Sequence, residues 1–177
     1  MKTARITAWV IGTLALLFSA FLIYGAWVGT FHPYVQRAVP LALAVALAFL
    51  LTTARRKARG DDPVPWYDWC LAALAIPVFG YAALYPDYLA NRFPMTRITP
   101  PTGTEIVLGC LAIALLIEAS RRTVGWVMVI VVAVVLAYGA FGHHIPWKTM
   151  THSGCDGVDI LDHLYLTMEG IWGTALG

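Results

Sequence analysis

Haem is the first chemistry the histidines suggest, because bis-histidine haems sit between helices with ligands on facing sides. His32, His143, His144, His152 and His163 all fall outside the long apolar runs, and none occupies a helix middle where it could pair across a bundle. A membrane redox protein is therefore the rival reading and not the leading one. Asp159 and His163 stand one helical turn apart, but a metal would need further ligands that no neighbouring residues supply. Neither a metal nor a cofactor is expected. Cys70 and Cys110 lie in apolar stretches and Cys155 in a polar one, with neither the spacing nor the setting of a disulfide or zinc framework. No Ser-His-Asp set, phosphate-binding loop or paired carboxylates can be read, so no catalytic residue is assigned and no enzyme is expected.

Glu118, Arg121 and Arg122 form the one charged cluster at an apolar helix end. At i, i+3 and i, i+4 spacing the carboxylate can reach both guanidinium groups. A salt bridge that fixes helix depth at the cytoplasmic interface is the leading reading. Ionisable residues near a membrane also mark transport pathways, and a contact with another subunit is the third reading.

The elements that position these residues follow from composition. The 177 residues are 59% hydrophobic and 12% charged, whereas a soluble domain carries roughly 45–50% apolar and about 25% charged residues. That surplus needs lipid to bury it, and the formal net charge of +2 is too small to argue for nucleic acid. The expected fold is all-α, a polytopic membrane protein with about five transmembrane helices and a C-terminal amphipathic surface helix.

The first helix is uncharged from Ile6 to Val28 behind Lys2 and Arg5, longer than the roughly 7–15 apolar residues of a signal peptide. Phe31, His32, Pro33 and Tyr34 make a turn, and the second helix covers Ala38 to Ala54. The third starts at the aromatic anchor Trp66, Tyr67 and Trp69 and runs to Tyr85, with a kink expected at Pro77. The stretch from Pro86 to Gly103 is too polar and proline-broken to span. Between Glu105 and Glu118 only twelve residues are uncharged, so the fourth helix, about Thr104 to Arg121, is the weakest candidate. The fifth run, Val124 to Gly142, is the most hydrophobic and should span.

Lysine and arginine set the orientation. With the N-terminus inside, Lys2, Arg5, Arg55, Arg56, Lys57, Arg59, Arg121 and Arg122 are cytoplasmic, against Arg37, Arg92, Arg97 and Lys148 outside; the positive-inside rule favours this arrangement. An odd number of spans then puts the tail outside. There Ser153 or Asp156 caps an expected helix in which Val158, Leu161, Leu164, Tyr165 and Met168 share one face. It should lie along the outer surface and pack on protein, since it lacks the basic face of a free-standing lipid binder. A self-contained oligomeric channel would need polar faces repeated down several helices, which the helix cores do not offer.

The run Glu118-Ala119-Ser120-Arg121-Arg122-Thr123-Val124-Gly125-Trp126, then a valine-rich helix, then Asp162-His163-Leu164-Tyr165-Leu166-Thr167-Met168-Glu169-Gly170-Ile171-Trp172-Gly173, resembles the tripartite ATP-independent periplasmic (TRAP) transporters. Within them it is similar to the TAXI-type fused permeases, over about residues 66 to 177. The resemblance implies three segments: a four-helix small-subunit-like membrane domain at 1–122, a connecting transmembrane helix at 123–143, and a periplasmic loop and amphipathic helix at 144–177 leading toward the large transport subunit. It implies a scaffold for a secondary transporter of organic acids in a bacterial inner membrane. The partners it implies are a large permease subunit, which would hold the substrate and the coupling ion, sodium or proton, and a periplasmic TAXI-type binding protein. Glu118, Arg121, Arg122, Gly125, Trp126, Glu169, Gly170 and Gly173 are then candidates for structural or subunit contacts. The chain stops at Gly177, before the helices that a fused permease would place next, so the expectation is a missing partner.

Overall fold

A computed structural model of the chain describes residues 2–29, 31–52, 64–92, 101–141, 161–167, 170–171 and 173. The basic cluster Arg55, Arg56, Lys57 and Arg59 lies outside them, as do Glu169 and the proposed caps Ser153 and Asp156. Every described element is helical. The chain folds as two units, Met1–Ala90 and Asn91–Gly177.

The first unit begins with α1, Lys2–Val28. Gly29 ends it at φ +64°, a left-handed conformation that glycine adopts without steric cost. His32 then caps α2, Pro33–Leu51, its Nδ1 accepting from the Tyr34 N–H at 3.4 Å. Phe31 stacks back on Phe21 and tilts against Tyr24, ring centroids 5.5 and 5.6 Å apart, which fastens the turn to α1. The turn expected over Phe31 to Tyr34 puts the start of this helix at Ala38. The helix instead begins at Pro33, because a proline at the first helical position loses no hydrogen bond and has its φ already set. Pro40 consequently sits inside α2, where it has no N–H to offer Gln36.

Helix α3, Trp66–Leu84, continues through Pro77, and α4, Pro86–Arg92, is a short helix at the start of the stretch expected not to span. Helix α2 packs mainly on α3 and less on α1. Its buried face, Tyr34, Ala38, Ala42, Val45, Ala46 and Phe49, meets a buried α3 face of Ala72, Ala75, Val78, Phe79 and Ala82. Alanines at these positions allow close approach of the backbones. Helix α1 leaves Trp9, Leu16, Ile23 and Trp27 exposed.

The second unit opens with α5, Gly103–Thr123. Thr102 and Glu105 form a reciprocal capping box, the Thr102 N–H donating to Glu105 Oε2 at 2.6 Å. Helix α6, Trp126–Phe141, follows after two residues. By length and composition α1, α2, α3 and α5 can cross a membrane. The helix that seemed weakest from its charges is thus among the four. The most hydrophobic run gives a described helix of 16 residues, about 24 Å at 1.5 Å per residue against a hydrocarbon core of about 30 Å.

Of the tail, Leu161 and one turn of π-helix, Asp162–Leu166, are described, so a full C-terminal helix is not seen among the described residues. The chain leaves this turn at Thr167 in extended conformation. Ile171 N–H then returns to Leu164 O at 2.7 Å, and Gly173 N–H to Gly170 O at 2.9 Å. The turn packs on α5.

Candidate functional site

Helix α5 ends where its C-terminal charges and a glycine coincide. Gly125 takes φ +107°, and both its N–H and that of Val124 donate to Ser120 O. A side chain there would be strained, since left-handed backbone costs an L-residue roughly 1–2 kcal/mol. Gly125→Val is accordingly expected to lower the thermal midpoint by several degrees, read by unfolding in mild detergent; an unchanged midpoint would mean the turn re-forms without glycine.

Within the last turns of α5 the ion pairs expected from the spacing are formed. Glu118 accepts from Arg121 at both oxygens, Nε to Oε2 at 2.7 Å and Nη2 to Oε1 at 2.6 Å, and from Arg122 Nε at 2.7 Å. The Arg121 and Glu118 side chains are 28% and 29% exposed, but that of Arg122 only 3%. The arrangement is therefore asymmetric, one guanidinium at the surface and one inside. Arg121 also lies over the Trp126 ring, 5.5 Å from its centroid, a cation–π contact that ties the end of α5 to the start of α6.

Above this joint the helices enclose a half-open cavity of about 260 Å3. Ile113, Leu116, Ile117 and Ser120 of α5 and Val129, Val132 and Leu136 of α6 line it. Leu164 and Ile171 of the tail complete the lining. The tail can come this close because position 109 is a glycine. A Cβ there would collide with the Leu161 Cδ2 methyl and stand 3.3 Å from Tyr165 Cβ.

Leu161, Leu164 and Tyr165, expected on one apolar face, are thus directed at protein. Gly170 and Gly173 fall in the turns that follow the π-helical segment. No family model, curated protein or solved structure matches the chain. Its functional reading accordingly rests on the quoted motifs and on this geometry.

Among the described residues two carboxylates are buried, Asp68 and Glu105, the second of which reads in the sequence only as the charge that bounds the fourth helix. Glu105 is 2% exposed and Asp68 0%, and each holds the third position of its helix. Glu105 closes its capping box; Asp68 cannot do the same, because its N-cap is Pro65, which has no N–H to offer. The available signal was an acid inside the otherwise apolar and aromatic start of a span, where burial of an ionisable group is costly. The Asp68 N–H donates to Pro65 O at 3.1 Å. Among the histidines, His32 has its place as the α2 cap, its ring stacked 5.8 Å from Tyr34. Among the described residues no three His, Cys, Asp or Glu side chains gather as a metal set.

Proposed function

We propose that this chain is a small, non-catalytic membrane subunit that braces the transport subunit of a TRAP-type secondary transporter of the TAXI kind. The observation that carries the proposal is the meeting of the two resembling motifs. Ser120, from the first, and Leu164 and Ile171, from the second, line one cavity although the valine-rich helix separates them in sequence. Motifs that pack together act as one structural element, as a brace built from both requires.

In this reading α1, α2, α3 and α5 cross a bacterial inner membrane and the run that begins with α6 crosses a fifth time. The N-terminus is cytoplasmic and the C-terminus periplasmic. Glu118, Arg121, Arg122, Gly125 and Trp126 hold the cytoplasmic turn, and Glu169, Gly170 and Gly173 belong to the segment that leads toward the large subunit. That subunit binds the organic acid and the sodium or proton, and a periplasmic binding protein delivers the substrate. The exposed apolar faces of α1 and α6, among them Trp27, Val127 and Val134, are surfaces for lipid and for that partner.

A tagged chain extracted from its native membrane in mild detergent is expected to bring down a much larger polytopic protein. A chain that is recovered alone in every mild detergent overturns the proposal.

A further inference from the structure

We infer that the tail is re-entrant: residues 161–167 dip to the middle of the membrane beside α5, and the chain turns back by Ile171, instead of lying along the outer surface. The depth scale is α5 itself. Its 21 residues span about 32 Å at 1.5 Å per residue, which matches a hydrocarbon core of about 30 Å. On that scale Gly109 stands about 9 Å from the first residue of the helix, and Ile113 marks the midpoint. Leu161 and Tyr165 sit on Gly109, where even a methyl group would strike Leu161 Cδ2. Leu164 and Ile171 reach further along, since they line the cavity with Ile113, Leu116, Ile117 and Ser120, none of which precedes the midpoint. The depth is the same whichever end of α5 faces the cytoplasm.

The backbone suits that depth. A helix lying in the interface keeps its regular hydrogen bonds and turns a polar face to water. This segment instead makes one turn of π-helix and leaves it at Thr167 in extended conformation. Ile171 N–H then donates to Leu164 O at 2.7 Å, which folds the chain back on itself. Non-helical backbone at membrane depth is tolerated only where protein buries it or where it lines a water-filled cavity. Here protein covers it. Tyr165, Leu166 and Thr167 are buried, and the cavity beside Leu164 and Ile171 is aliphatic apart from Ser120. The missing side chain at Gly109 lets the π-helical turn reach the body of α5, and the Ile171 bond satisfies a carbonyl that the broken helix would otherwise leave open. Such a placement needs only that α5 crosses the membrane, and it stands apart from the transporter reading.

The test uses the full-length chain in liposomes, with Cys70, Cys110 and Cys155 replaced by alanine and a nitroxide attached at one new cysteine at a time. Leu164→Cys and Ile171→Cys report on the tail. Ala114→Cys, exposed near the middle of α5, and Gly103→Cys, exposed at its first residue, are the references. Power-saturation spectroscopy compares collisions with oxygen, which concentrates in the hydrocarbon, and with a water-soluble nickel chelate. Both tail labels are expected to match the oxygen-to-nickel ratio of Ala114→Cys within about twofold and, since the bilayer core holds no water, to exceed that of Gly103→Cys about tenfold. A cooperative thermal transition shows that each labelled chain is folded. Tail labels that read like Gly103→Cys, or as more aqueous, overturn the proposal. An Ala114→Cys label no deeper than Gly103→Cys also overturns it, because α5 would then not cross the membrane.

Discussion

Replacing Glu118 with alanine is expected to cost the chain about 2–3 kcal/mol, at or just below the low end of the roughly 3–5 kcal/mol for breaking a buried ion pair. The low end applies because the carboxylate is 29% exposed and its Arg121 arm is reached by solvent and salt. The Arg122 arm is the expensive one, since that side chain is 97% buried and a desolvated guanidinium deprived of its carboxylate cannot recover the loss from water. For a chain of this size the change lowers the thermal midpoint in mild detergent by roughly 4–12 °C. The double variant Glu118→Leu with Arg122→Leu should regain most of that loss, as apolar replacement of both partners often does. If Glu118→Ala melts where the unaltered chain melts, the cluster is not an anchor.

Those charges also explain where sequence and structure part. A hydropathy count penalises α5 for Glu105 and Glu118, yet one carboxylate closes a capping box and the other is neutralised by arginines one turn away. Charges satisfied within their own helix subtract little from its capacity to span. At Pro33 the residue type marks the turn, and its compatibility with a helix start sets where α2 begins.

The candidate site was legible where the information is local. Spacing alone placed Glu118 between two arginines, and helical periodicity put Leu161, Leu164 and Tyr165 on one face. The left-handed turn at Gly125 and the burial of Asp68 were not legible. The first depends on how two helices reverse, and the second on which face of α3 meets α2. The cavity could not be read at all, because α5, α6 and the more distant tail build it together. The seat of the tail on α5 likewise needed a structure, since Gly109 reads in the sequence only as one small residue among many.

That glycine supports the second large effect. Gly109→Leu is expected to unseat the Leu161–Leu166 turn, because the collision with Leu161 involves a movable methyl but the contact at Tyr165 Cβ involves an atom fixed to the backbone. Gly109→Ala should do less, since rotation of Leu161 relieves the worse of its two contacts. Overpacking of this kind costs about 1–3 kcal/mol, and tenfold in an equilibrium corresponds to about 1.4 kcal/mol. Thr167, 4% exposed in the seated tail, reports the change. Placed as Thr167→Cys in a chain whose Cys70, Cys110 and Cys155 are replaced by alanine, the thiol should react slowly with a water-soluble maleimide. Adding Gly109→Leu should raise that rate about tenfold or more. Rapid labelling before the glycine is changed would mean that the tail lies on the surface, as its amphipathic pattern alone suggested. Slow labelling in both would mean that α5 yields to the larger side chain. A protected thiol exposed by one leucine two helical turns into α5 is the outcome that only a tail seated on the helix body produces.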